Sequence, residues 1–472
     1  MRHWTNNIFA LVDSYKDSHH LFYAPDLNKI AAYLEPRGGH SPYVSTGLLQ
    51  YYLTSYLTGP DRLTLEMIDE QSEDAAEHFG TDKIFNRQGF LEILDKFGGY
   101  LPFSLWALPE GTVVSPGTPV LVVESEGDFP WFATYIETLL SQVWYPNTVS
   151  TNSLGFKLVE AEYLIRTQGS LDGLEFMTHD FGERGVSCPE QAGIGGAAHL
   201  MHFLGTDNRA ALRLLKTFYD DHMAGYSVAA TEHSVMGSWG GPQGELTACQ
   251  NALERCPTGV LSVVSDTYNI HRALKEIWGT ELAEKVRTRP GKLVIRLDSG
   301  DPREMVLNAL KVLKDQFGAE RNALGYKKLP PYLGLLQGDG VDRDVVREIL
   351  HEMAEAGWCA SNIVFGSGGA LLQKVNRDTH KHAYKANAGY NRETGWRDIY
   401  KDPITDQGKR SKRGRQAVVV DANGHLVAVP LEQVGSRANW LEPVVTCGRL
   451  VRKVTFSQVR SVADAHFKVV MR

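Results

Sequence analysis

Between about Leu174 and Leu372 the chain repeats one unit seven times: a short apolar run, a polar or glycine-rich stop, and then a stretch with helical spacing. The stops fall at Asp180, Asp207, His233, Asp266, Asp298, Asp339 and Ser367, so polar chemistry recurs every 26 to 41 residues. The later runs are the clearest: Leu261-Ser-Val-Val-Ser-Asp266, Leu293-Val-Ile-Arg-Leu-Asp298, Leu333-Gly-Leu-Leu-Gln-Gly-Asp339 and Ile363-Val-Phe-Gly-Ser-Gly-Gly369. Each is apolar or β-branched before its stop, as a strand covered on both faces in a parallel sheet requires. The pattern predicts an α/β fold, an irregular (β/α) barrel of about seven strands. In such a barrel the residues just past each strand gather on one face and can share a ligand. After Asp339, the apolar spacing of Val345, Val346, Ile349, Leu350 and Met353 predicts a helix over 342–356.

The flanks follow a different grammar. Amphipathic stretches at 46–57 and 88–97 read as helices, the alternation over 111–124 as a hairpin of strands, and 131–145 and 153–168 as two helical segments. Residues 385–414 are polar and basic, and 415–472 return to short alternating strands. The expected organisation is an N-terminal α+β domain over 1–170, completed by 376–472, and a barrel domain over 171–375.

At 472 residues, 43% hydrophobic and 22% charged, the chain is long enough to bury the core of a large enzyme. A net charge of −7 argues against bulk nucleic-acid binding, so an anionic ligand must meet a local basic site. The apolar stretch from Ile8 to Val12 is too short for a signal segment or a membrane span, and five scattered cysteines without a CxxC suit a reducing cytoplasm. The expected localisation is therefore cytoplasmic.

The candidate chemistry sits at the polar stops. Phe365-Gly-Ser-Gly-Gly369 places glycines after a strand and before a helix, where backbone N–H groups can approach a phosphate; the alternative is a tight turn. Asp266 and Asp298 at strand ends could accept from ribose hydroxyls or hold Mg²⁺, or could simply cap helices. Glu232-His233 follows the small-residue segment Gly225-Tyr-Ser-Val-Ala-Ala-Thr231, so His233 could act as a nucleophile or base, or be structural. Arg377, Lys385, Lys401 and the run Lys409-Arg-Ser-Lys-Arg-Gly-Arg415 could form a solvated loop, a targeting signal or a collar for a pyrophosphate.

Motifs along nearly the whole chain carry a resemblance. They include Asp13-Ser-Tyr-Lys16, His179-Asp-Phe-Gly182, Arg184-Gly-Val-Ser187, Thr231-Glu-His-Ser234, Asp298-Ser-Gly300, Gln337-Gly-Asp-Gly-Val-Asp342, Phe365-Gly-Ser-Gly-Gly369 and Lys409-Arg-Ser-Lys412. In these the chain resembles the nicotinamide phosphoribosyltransferases of the type II phosphoribosyltransferase group. The resemblance implies transfer of phosphoribose from phosphoribosyl pyrophosphate to nicotinamide in NAD salvage, with Mg²⁺, ATP as co-substrate, and a homodimer whose active sites lie at the subunit interface.

Carried over by motif, Phe181 and Tyr15 would sandwich the pyridine ring, Tyr15 coming from the second subunit. Asp207 would accept from the carboxamide NH₂ while Ser262 or Arg296 donates to its carbonyl. Asp298 and Asp339 would meet ribose hydroxyls, and Arg184, Gly338, Gly368 and Gly369 the 5′-phosphate. Arg37, Arg377, Lys385 and Lys401 would hold pyrophosphate, the last three across the dimer. Asp266 would lie close to the reacting ring and sugar, and His233 would be the histidine phosphorylated by ATP, oriented by Glu232. Two departures stand out: Glu183 replaces an aromatic, and Ala370 a third glycine. The alternatives are a nicotinate phosphoribosyltransferase, against which Asp207 discriminates, and a nucleotide-binding or signalling protein that keeps the fold without catalysis.

Overall fold

Seven parallel strands follow one another in chain order: Thr178–Asp180, Gly205–Thr206, Ala229–Ala230, Gly259–Val264, Gly291–Leu297, Leu333–Gln337 and Ile363–Ser367. In this computed structural model, which describes residues 4–471, the last strand pairs back onto the first, Ser367 opposite Asp180. Gly205 of the short second strand makes an isolated parallel bridge to Tyr226, three residues before the third strand, and this closes the ring. The predicted barrel and its irregularity are both present. Leu293, Ile295 and Leu297 of the fifth strand are buried on one face, while Arg296 shares the other face with Ser262 through the register Val294 to Ser262.

Each strand is followed by helix, among them Pro189–His199, Arg209–Phe218, Glu245–Arg255, Pro302–Phe317 and Arg343–Glu355, and after the last strand the single turn Gly369–Leu372. Asn208, Asn269, Asp301 and Asp342 cap the helices after the second, fourth, fifth and sixth strands. Each cap lies one to three residues beyond a polar stop, at Asp207, Asp266, Asp298 or Asp339. Because the orphan N–H groups of those helices are already satisfied, the four stops are not needed as caps.

A second sheet, antiparallel apart from the barrel, is built from both ends of the chain. Lys29–Glu35, Phe103–Ala107 and Leu121–Ser125 join Ala383–Asn391, Gly395–Asp398, Glu442–Thr446 and Arg449–Leu450, with Lys29–Glu35 pairing directly to Ala383–Asn391. The α+β unit of the fold class is thus made of N- and C-terminal segments.

Three local expectations are corrected. The alternation at 111–124 is not one hairpin: Val113–Val114 pairs with Val44–Ser45, whereas Leu121–Ser125 lies between Lys29–Glu35 and Phe103–Ala107. The two helical segments at 131–168 break at Gln142–Val143, and Trp144–Gln168 is continuous. Pro146 is tolerated there because it falls in the first turn, where its missing N–H costs nothing. The tail is not all strand, since Phe456–Val470 is a helix with a Thr455–Gln458 capping box and a buried stripe of Phe456, Val459, Ala463 and Phe467. Among the described residues, no helix is long and apolar enough to cross a membrane.

Candidate active site

Three stops from successive strand ends converge. His233 opens the short helix His233–Gly237, its Nε2 lies 3.0 Å from Asp266 Oδ1, and its Nδ1 lies 3.9 Å from Asp298 Oδ2. The Asp266 side chain is almost completely buried and accepts three hydrogen bonds, for Oδ2 also takes the Asp298 N–H at 3.1 Å and the Ser299 hydroxyl at 2.5 Å. Its work is therefore to hold His233 and the 298–299 turn. Buried Trp278 donates Nε1–H to Ser265 Oγ at 3.0 Å and so steadies the strand end that carries Asp266. Glu232 does not orient the histidine as expected, because its carboxylate takes the Ser234 hydroxyl instead.

Asp298 is partly buried, its side chain a quarter exposed, 3.5 Å from Arg296. Burial pushes its carboxyl above the ordinary range; Arg296 and His233 oppose the shift, and the carboxylates of Asp266 and Asp339 reinforce it. A Cβ on Gly338 would sit 2.7 Å from Asp298 Oδ1, so glycine there keeps space open beside the carboxylate. Ser262 Oγ and Arg296 Nε, on the same face of the sheet, are buried without hydrogen-bond partners. Buried donors left unpaired are costly, and a ligand carbonyl would satisfy either. Among the described residues, no group of three or more His, Cys, Asp and Glu side chains is arranged to hold a metal ion.

The first and last barrel strands form a second cluster. Phe181 lies against Gly366, where a Cβ would come within 2.1 Å of the ring, so only glycine leaves room for that aromatic. Gly182 and Gly185 approach Gly368 and Gly369, making a two-loop cradle of backbone beside Arg184. Glu183 turns away from it, accepting the Arg209 N–H at 3.0 Å at the start of the helix Arg209–Phe218. The acid that replaces an aromatic is thus a helix-terminus partner, where a negative charge is favourable.

Asp180 is structural. Fully buried, it accepts from the Gly182 N–H at 2.7 Å and the Asn208 amide at 2.9 Å, tying the cradle to the loop that carries Asp207. Burial pushes its carboxyl up to about 6 from an ordinary 3.8. A carboxyl raised in the folded state contributes stability that is complete below its unfolded pKa and is lost as pH rises through the folded one. Wild type should lose stability between pH values of about 4 and 6, by up to roughly 3 kcal/mol. Asp180→Asn should be less stable overall but flatter across that window. Urea midpoints measure both, and parallel profiles would show that Asp180 titrates normally.

The anion-binding candidates gather elsewhere. Arg37, Arg377, Lys385 and Lys401 line one cavity of about 530 Å³, together with Lys381, His382 and Lys409. Arg37 Nη2 is buried there without a partner, and burial lowers the Lys385 ammonium pKa; Glu137 opposes that shift, and Arg37, Lys16 and Lys401 add repulsion. Arg37 was expected to act apart from the other three, but the fold makes the four one set on one protomer. The basic run is mostly absorbed within the chain: Arg410 and Arg413 meet Asp402, Lys412 meets Glu35, and Arg415 meets Glu124. Tyr15 stands apart from Phe181, exposed on the segment Ser14–Leu21, which is anchored by Lys16 to Glu137 at 2.5 Å.

Sequence reasoning missed Ser299, Trp278, Gly366 and Ser227. Ser299 lies inside a motif already singled out, and Ser227 lies in the small-residue segment before His233. Gly366 lies in the glycine-rich stretch already singled out, but its role beneath Phe181 is one of packing, and Trp278 carries no local signal.

Residues 176–436 match the Nicotinate phosphoribosyltransferase (NAPRTase) family, and residues 7–105 the "Nicotinamide phosphoribosyltransferase, N-terminal domain". A protein of Xanthomonas campestris pv. campestris named "Nicotinamide phosphoribosyltransferase" is 42% identical over 98% of this chain and 99% of its own length. One of the same name from Acinetobacter baylyi is 33% identical over 77% of this chain and 76% of its own. Among solved structures, "nicotinate-nucleotide pyrophosphorylase from Pyrococcus furiosus" superposes with a TM-score of 0.64 at 16% identity, covering 99% of this chain and 97% of that one. "Human Nicotinic Acid Phosphoribosyltransferase" gives 0.58 at 16% identity over 97% and 93%. At such identity these two bear on the fold alone.

Proposed function

This chain belongs to the nicotinate phosphoribosyltransferase family, and on that premise we propose that it transfers the 5-phosphoribosyl group from phosphoribosyl pyrophosphate to nicotinamide. The products are nicotinamide mononucleotide and pyrophosphate, a reaction of NAD salvage. The observation that carries nicotinamide over nicotinate is Asp207, an exposed carboxylate just past the second barrel strand. A carboxylate accepts from an amide NH₂ and repels a second carboxylate. Ser262 Oγ or Arg296 Nε, both unpartnered, donates to the amide carbonyl, and Phe181 supplies one ring face.

The ring nitrogen attacks C1 of the sugar as pyrophosphate departs, and Asp298 stabilises the positive charge that develops there. Asp298 and Asp339 hold the ribose hydroxyls; the Arg184 loop with Gly338, Gly368 and Gly369 receives the 5′-phosphate. No protein-only metal cluster is formed among the described residues, but Asp339 lies near enough to Asp298 to act on its charge, so this pair would suit a divalent cation that brings substrate phosphates as its other ligands. Mg²⁺ commonly takes one or two carboxylates plus substrate phosphates, and Asp298 and Asp339 would hold it. Bound, it neutralises charge on the leaving pyrophosphate.

Arg37, Arg377, Lys385 and Lys401 hold the pyrophosphate. Their cavity is lined by the antiparallel domain and the 137–141 segment rather than by the barrel mouth, which supports service to a second copy's barrel, with Tyr15 contributed the same way. ATP phosphorylates His233. With its Nε2 proton donated to Asp266, Nδ1 keeps a lone pair that attacks the γ-phosphorus, ADP leaves, and water later cleaves the N–P bond.

The test is to incubate the purified protein with phosphoribosyl pyrophosphate, Mg²⁺ and either nicotinamide or nicotinate, with and without ATP, and to identify the product. Nicotinamide mononucleotide is expected, with Asp207→Ala losing nicotinamide use; efficient turnover of nicotinate by the intact protein would overturn the reading.

A further inference from the structure

Barrel closure places a residue that the reaction has not yet used. The bridge between Gly205 and Tyr226, with the Thr206 N–H donating to Tyr226 O at 2.9 Å, sets the next residue on each strand side by side. Those residues are Asp207 and Ser227. The Ser227 hydroxyl donates to Asp207 Oδ1 in a short hydrogen bond, and the Asp207 N–H is held by Asp180 O at 3.1 Å. The competing acceptor for Ser227, Val228 O, is at 3.5 Å, the long limit for such a bond. Among the described residues, the side-chain hydrogen bond to Asp207 goes to Oδ1, leaving Oδ2 to a ligand.

We propose that Ser227 is a specificity-determining positioning residue, which holds Asp207 with one carboxylate oxygen committed and the other presented to the carboxamide of the pyridine substrate. This rests on the reading that the chain uses nicotinamide. An exposed Asp on a loop has several rotamers open to it, and a fixed one spares the ligand the cost of ordering it. The Ser227 hydroxyl proton is already given to Asp207, so it has no donor to offer a carboxylate, while Oδ2 of Asp207 stays open to the amide NH₂. The pair therefore favours the amide twice over.

The experiment compares Ser227→Ala, Ser227→Thr, Asp207→Ala and the double alanine variant, with steady-state kinetics for both pyridines and for phosphoribosyl pyrophosphate. Ser227→Ala should raise the KM for nicotinamide about tenfold, the loss of one hydrogen bond to a charged group, with a much smaller change in kcat and in the KM for phosphoribosyl pyrophosphate. The preference for nicotinamide over nicotinate should narrow by a similar factor. Threonine should restore both values, and in the Asp207→Ala background the Ser227 change should add nothing to the residual kcat/KM. An unaltered nicotinamide KM, an equal rise for both substrates, or additive losses would overturn the proposal. Failure of the wild-type protein to form mononucleotide from nicotinamide would instead overturn the functional reading, and this one with it.

Discussion

Asp298→Ala should lower kcat for phosphoribosyl transfer about 10³-fold, the scale of losing one preorganised electrostatic stabiliser at a reacting centre. Asp298 is the carboxylate on which the site converges: His233 lies 3.9 Å away, Arg296 3.5 Å away, and Gly338 leaves the space beside it free of a side chain. Its turn is held by Asp266 and Ser299, so removing the side chain should not move the backbone. Asp298→Asn keeps the shape, loses the charge and should fall almost as far, which separates electrostatics from packing. The working form is the anion, and burial raises the carboxyl's pKa. Activity should therefore fall on acidification at a pH above the ordinary carboxylate range, and Asp298→Asn should lack that acid limb. Rapid-quench single turnovers across pH measure this; a loss below about tenfold in both variants would refute the assignment.

His233→Ala should abolish stimulation by ATP while retaining reduced basal transfer. The histidine is close to half exposed on its side chain, as a group phosphorylated by a soluble nucleotide must be, yet its ring is oriented by a buried carboxylate at 3.0 Å. Asp266→Asn should weaken the stimulation too, because the Nε2 proton loses a charged acceptor and the tautomer that frees Nδ1 is no longer favoured. The readout is the ratio of kcat/KM for nicotinamide with and without ATP, together with acid-labile phosphate retained on the protein. Undiminished stimulation in His233→Ala would remove the phosphohistidine from the mechanism.

The barrel was legible because its strands are written locally. Leu293-Val-Ile-Arg-Leu-Asp298 is apolar apart from Arg296 until it ends, and a short run of that kind before a polar stop and a helical period reads as a parallel strand. The stops were legible as candidates for the same reason, but their roles were not. Whether Asp298 is a cap or a ligand depends on Asp301, which takes the cap and releases it. Asp266 also holds His233, the Asp298 N–H and Ser299 together, an arrangement spread over three strand ends. The tail helix Phe456–Val470 was hidden because its apolar spacing follows short alternating segments, and its capping box is the one local signal that marks it.

The division between chain and fold follows the range of the forces involved. Backbone geometry imposes a period on neighbouring residues, so the repeating units, the helix after Asp342, the phosphate glycines and the excess of cations near the C-terminus could all be read in order along the chain. Pairing between segments far apart is chosen by which faces bury together, and one chain order permits several choices. Only the closed barrel could put Ser227 on Asp207 and pack Gly366 under Phe181, and only the antiparallel sheet could bring Arg37, two residues past the strand Lys29–Glu35, to Lys385 on the partner strand.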